Sequence, residues 1–179
     1  MVNRYENISG TKKLAISALL TAAAIIMHTV ESLLPPLIVG VPVRLGLANI
    51  FTLLALIELG APYAAAVAVL RCLVSVLITG AVSQLPYSLA GSVLSFLAMF
   101  AADRLRRKER ISAVGQSVLG AFCFNIGQLA VGILIAGQAM LYYFPSMSLI
   151  SVPTGIFTGL VSHYIDHALK KSFYARSDQ

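Results

Sequence analysis

Between residues 14 and 169 the chain is broken into apolar blocks of about twenty residues, and that block length is what most constrains its fold. A helix of about 20 apolar residues crosses a hydrocarbon core of about 30 Å. Six such blocks occur, at 14–34, 44–60, 62–80, 86–102, 114–137 and 148–169. Residues are 58% hydrophobic and only 11% charged, against about 25% charged in soluble domains. The expected fold is all-α: an integral membrane bundle of six transmembrane helices. Pro35-Pro36 ends the first block, Gly60-Ala61-Pro62 makes a turn with proline at a helix start, and Pro86 opens the fourth block. Pro145 separates the last two blocks, and Pro153 kinks or begins the sixth. Lys12, Lys13 and the run Ala22-Ala23-Ala24 are also features of a signal peptide. The apolar stretch continues to Leu34, however, so it reads as a retained helix.

The net charge of +6 does not point to nucleic acid, which needs basic residues along one polar face. The basic residues instead lie between apolar blocks, where they set orientation. Arg4, Lys12 and Lys13 precede the first block; Arg104, Arg106, Arg107, Lys108 and Arg110 join the fourth and fifth; Lys170, Lys171 and Arg176 follow the sixth. These clusters share one side only if even numbers of spans separate them. The expected organisation is a cytoplasmic segment 1–13, a membrane domain 14–169 with a basic cytoplasmic loop 103–112, and a cytoplasmic tail 170–179. That is a multi-pass protein of the cell membrane with both termini inside. Tyr87 and Tyr142-Tyr143-Phe144 then fall at the outer interface, and Tyr63 and Tyr164 near the inner one. Cys72 and Cys123 both fall within apolar blocks, where small buried apolar roles are the default.

Two cations are left over after topology, Arg44 and Arg71. Arg71 falls near the middle of the third block, where an arginine is costly unless it faces the bundle interior and finds a partner. Glu31, Glu58, Asn49 and Asn125 are the available partners. Arg71 is thus either half of a structural ion pair or a ligand-facing cation. Read as one helix, Arg44 and Asn49 are about 7.5 Å apart along the axis and about 140° apart in direction. Arg44 then reaches the outer rim while Asn49 points inward, with Gly46 and Ala48 giving room. Alternatively Arg44 snorkels and Asn49 makes one interhelical bond. Asn125 and Gln128 lie three apart on the fifth block, and Gln84 adds an outer-side amide. His163 and His167 have the i, i+4 spacing of metal or haem ligands. With His28 toward the other face and Asp166 off theirs, they read as interfacial side chains.

No GxxxxGK[ST] loop is present, so the chain has no ATP-driven step of its own. Asp103, Asp166 and Asp178 do not cluster into a magnesium site, and no Ser-His-Asp set shares a depth. The expectation is a non-enzymatic protein without cofactor or metal. Ala18 and Ala22, and Gly155 and Gly159, form small-xxx-small pairs that let another helix approach, inside the bundle or from another subunit.

The runs RLGLANIFTLLALIELG (44–60), VLRCLVSVLITG (69–80) and YSLAGSVLSFLAM (87–99) resemble the Gx transporter family, also labelled heptaprenyl diphosphate synthase component I. This family is similar to the substrate-binding S components of energy-coupling factor (ECF) transporters. The resemblance implies an S-component-like six-helix fold with an outward pocket lidded by the loop after the first helix. It also implies docking of a transmembrane coupling subunit on Ala18 and Ala22, with the ATPases of an ECF module behind it.

The sequence therefore leads to a membrane-embedded solute-binding subunit that takes a vitamin-, flavin- or isoprenoid-like molecule from outside. Glu31, Arg44 and Gln84 are expected at its mouth, and Asn49, Arg71, Asn125 and Gln128 deeper. Two alternatives stand beside it: a membrane subunit of a quinone- or flavin-linked electron-transfer assembly, and an accessory component of heptaprenyl diphosphate or menaquinone biosynthesis.

Overall fold

A computed structural model describes residues 9–33, 44–108 and 110–177. Among these residues the chain forms α1 (Gly10–Leu33), α2 (Asn49–Glu58), α3 (Ala61–Thr79), α4 (Leu85–Arg107), α5 (Ala113–Ala136) and α6 (Phe144–Ser177). Short 3-10 turns, Val82–Gln84 and Gln138–Tyr143, precede α4 and α6. Strands are absent from the described residues. The expected breaks at Gly60-Ala61-Pro62 and Pro86 occur where backbone chemistry requires them, whereas Pro35-Pro36 and the expected lid loop after the first helix lie outside the described residues. Gly60 takes φ 97° ahead of a proline in the first turn of α3, and Gly80 takes φ 68° at its end. Ser112 caps α5, its Oγ accepting from the Gly115 N–H at 3.1 Å. The sixth helix begins at Phe144, so Pro153 lies inside it.

Five helical segments are long and apolar enough to cross a membrane: Gly10–Leu33, Ala61–Thr79, Val82–Arg107, Ala113–Ala136 and Gln138–Ala168. The second expected span differs. Its helix starts at Asn49 rather than at 44 and has 10 residues, a length of about 15 Å, half of what a bilayer needs. Residues 44–48 are open chain and turn, with Gly46 at φ 78°. Arg44 and Asn49 are therefore not on one helix, and no 140° helical separation relates them.

α2 can be short because it meets no lipid that it must cross alone. It packs against each of the other five α-helices, and eight of its ten residues are buried. A helix apolar on all sides belongs in a protein interior. Around it α1 contacts α3, α3 contacts α4, α4 contacts α5 and α5 contacts α6. Among the described residues α1 and α6 do not meet, and α2 bridges the gap by touching both. Ala24, Leu53, Ala55, Leu56, Val67 and Met99 fill the core around it.

The outside is apolar as well. Leu19, Leu77, Leu134 and Leu149 are 70%, 82%, 84% and 75% exposed. An aqueous surface does not carry this much contiguous hydrocarbon; a lipid-facing one does. The Gly155 and Gly159 pair has an internal partner: an added Cβ would meet the Val118 Cα at 2.5 Å and the Val114 Cα at 2.6 Å. These glycines let α6 lie directly on the α5 backbone.

Candidate functional site

Polar side chains from α1, α2, α3, α4 and α5 converge at the start of α2, inside the ring. Arg71 on α3 is 1% exposed. Its Nη2 donates to Asn49 Oδ1 at 2.6 Å and to Ser92 Oγ at 2.8 Å. Cys72 joins the same group, its Sγ 3.1 Å from Ser92 Oγ. Of the four partners expected for Arg71, Asn49 bonds it directly. Glu31 lies close enough to attract both Arg71 and Arg44 electrostatically. Glu58 sits at the far end of α2, about 13 Å along the helix from Asn49.

Arg44 is not a rim cation. It is 7% exposed, and its guanidinium donates to His28 Nε2 and to Gln84 Oε1. Its backbone N–H donates to Gln128 Oε1 at 3.1 Å. Arginine has no acceptor, so His28 Nε2 must accept, which leaves the imidazole neutral with its proton on Nδ1. Residues 44–48 descend into the bundle because Gly46 breaks the helix and Glu31 anchors the bend. The Glu31 carboxylate accepts the Gly46 N–H at 2.5 Å and the Leu47 N–H at 3.2 Å.

Six of the sequence-derived residues thus fall into two neighbouring groups, Arg44 with Gln84 and Gln128 and Arg71 with Asn49, with Glu31 close to both arginines. Asn125 stands apart: its Nδ2 donates to the Met147 carbonyl at 2.8 Å, which ties α5 to the start of α6. His28 and Ser92 complete these groups and escaped the sequence reading. His28, expected only toward the membrane face opposite His163 and His167, is 3% exposed and holds Arg44. Tyr87, expected at the outer interface, is 9% exposed and packs inside. His163 and His167 face outward on α6. Among the described residues no three His, Cys, Asp or Glu side chains come together as metal ligands. Ala18 and Ala22 are exposed on α1.

Buried polar atoms in this centre remain open. Arg71 Nε, Asn49 Nδ2 and Gln128 Nε2 have no hydrogen-bond partner, although their residues are 1%, 5% and 2% exposed. Native interiors leave few such groups, and each one costs about 1–3 kcal/mol.

A multi-pass membrane protein built around a cationic, amide-rich interior is the class that this fold and centre define. The chain belongs to the heptaprenyl diphosphate synthase component I family, whose family model matches residues 20–165. No curated protein and no solved structure matches the chain at a significant level.

Proposed function

We propose that this protein is the membrane-embedded solute-binding subunit of an ECF-type importer, holding a small molecule at the Arg71–Asn49 centre. One observation carries the reading: a buried arginine-and-amide centre whose polar groups are only partly satisfied by protein. With the basic loop 103–112 on the cytoplasmic side, the 44–48 segment enters from the outer face, the side from which an importer loads. Ala18 and Ala22 lie on the outward face of α1, available to a coupling subunit whose ATPases would drive reorientation. The chain itself performs no chemistry in this reading; Asp103 is engaged by Arg106 and Arg107 at 2.8 and 2.6 Å.

Native mass spectrometry of protein purified in mild detergent tests it. The wild type should carry a non-covalent mass increment that Arg71→Ala loses, and an equal increment in both would remove the site. The family description favours a second reading, an accessory membrane component of heptaprenyl diphosphate synthesis. That reading predicts loss of long-chain prenyl product when the chain is deleted, with no defect in solute uptake.

A further inference from the structure

The hydrogen-bond roles of Asn49 and Gln128 are fixed, and each leaves its donor side open. Asn49 Oδ1 is committed as acceptor to Arg71 Nη2, so the open atom of that amide is the N–H side. Gln128 Oε1 is committed to the Arg44 N–H, so its Nε2 is an open donor by the same logic. Arg71 Nε can only donate. All three belong to residues more than nine-tenths buried and none has a partner.

The charges point the same way. Two guanidinium groups, Arg44 and Arg71, sit beside the Glu31 carboxyl, and His28 Nε2 accepts from Arg44. Two basic groups thus share one carboxyl group among these side chains, in an interior where an unpaired charge is costly. The start of α2 adds the positive end of a helix dipole to the same place. Its first N–H groups are already used in turn bonds to Gly46, Leu47 and Ala48, so the dipole contributes potential and the side chains contribute contacts. Beside them lies an apolar wall. The Phe124 ring is 2% exposed and stands 3.1 Å from where a Gly46 Cβ would project, with its other edge 2.9 Å from a Gly91 Cβ position.

From these we infer that the centre binds an oxyanion-bearing amphiphile, a carboxylate or phosphate head on an apolar body, through Arg71 Nε, Asn49 Nδ2 and Gln128 Nε2. The inference rests on the solute-binding reading and narrows it to a ligand charge. It states which end of the guest is held and by what. A cation or an uncharged alcohol would leave the two basic groups sharing one carboxyl group.

A series of probes with one apolar body and different heads separates the two claims. Delipidated protein in an uncharged detergent is titrated with hexyl phosphate, hexanoate, hexanol and hexyltrimethylammonium, with binding read by thermal stability and calorimetry. Hexyl phosphate or hexanoate should bind at least about tenfold more tightly than hexanol, and the ammonium should not bind. Which of the two wins tells a phosphate from a carboxylate ligand. A parallel titration with phosphatidylglycerol in nanodiscs tells a lipid headgroup from a free solute: displacement of the bound probe assigns the oxyanion to lipid. Asn49→Asp keeps the acceptor for Arg71, removes the donor and supplies a second carboxyl group. It should keep the protein folded and abolish preference for the anionic probes. Hexanol binding as tightly as the anions, or anion binding unchanged in Asn49→Asp, overturns the inference while leaving a solute binder. Absence of binding by every probe, together with no co-purifying molecule, removes both.

Discussion

Arg71 is 1% exposed, so its energetics are set by what touches it. Removing one partner of a buried charged network is more damaging than removing a surface pair. Arg71→Leu takes away the donor to Asn49 and Ser92 and should cost about 3 kcal/mol, read as a lower unfolding temperature in detergent. Added ligand should then no longer raise it. Glu31→Gln removes a carboxyl group that attracts Arg44 and Arg71 and weakens the clamp on Gly46 and Leu47. It should destabilise the protein by about 1–3 kcal/mol, by the same assay. The sequence made Arg71, Arg44, Asn49 and Gln128 visible, because charge and amides inside apolar blocks stand out. His28 and Ser92 were not legible. A serine in a membrane helix can bond its own backbone and gives no signal. His28 matters only once Arg44 is known to turn inward.

At the level of elements, apolar periodicity located five long helices well and misjudged the second. Hydropathy counts apolar residues without asking what surrounds them, so a half-length helix wrapped in protein reads like a span. The signal that Gly46 marks the break was present, but a glycine inside an apolar run is ambiguous until its φ of 78° is seen. Gly46→Ala should be costly twice over. It forces an L-residue into left-handed backbone, and its Cβ would meet Asn49 Nδ2 at 2.9 Å and Phe124 at 3.1 Å. A loss of about 1–3 kcal/mol is expected, again by thermal unfolding. The two small-residue pairs should behave oppositely. Gly155→Leu pushes α6 off the Val118 backbone and should destabilise the isolated protein. Ala18→Leu lies on the exposed face of α1 and should leave its unfolding temperature unchanged, while reducing pull-down capture of the ATPase-bearing complex that the proposed importer role requires. Unchanged capture would take the docking role away from α1.

For the whole molecule, an apolar lipid-facing exterior encloses a core that also buries charged and amide side chains, and this much was legible from composition and block length. The way the helices close was not. A ring held together by a central half-helix follows from contacts between α2 and every neighbour, which no local pattern encodes. Orientation remains a testable consequence of the basic loop. With the native cysteines replaced, Gln138→Cys between α5 and α6 should react in intact cells with a membrane-impermeant maleimide. Lys108→Cys, at the end of α4, should react only after permeabilisation.

A density map of the purified protein in lipid nanodiscs, at a resolution that separates side chains, tests the central claim most directly. The account predicts non-protein density within hydrogen-bonding distance of Arg71 Nε and Asn49 Nδ2, bounded by Phe124. An Arg71 guanidinium fully bonded to protein in a solidly packed interior, with no guest and no space for one, would contradict it.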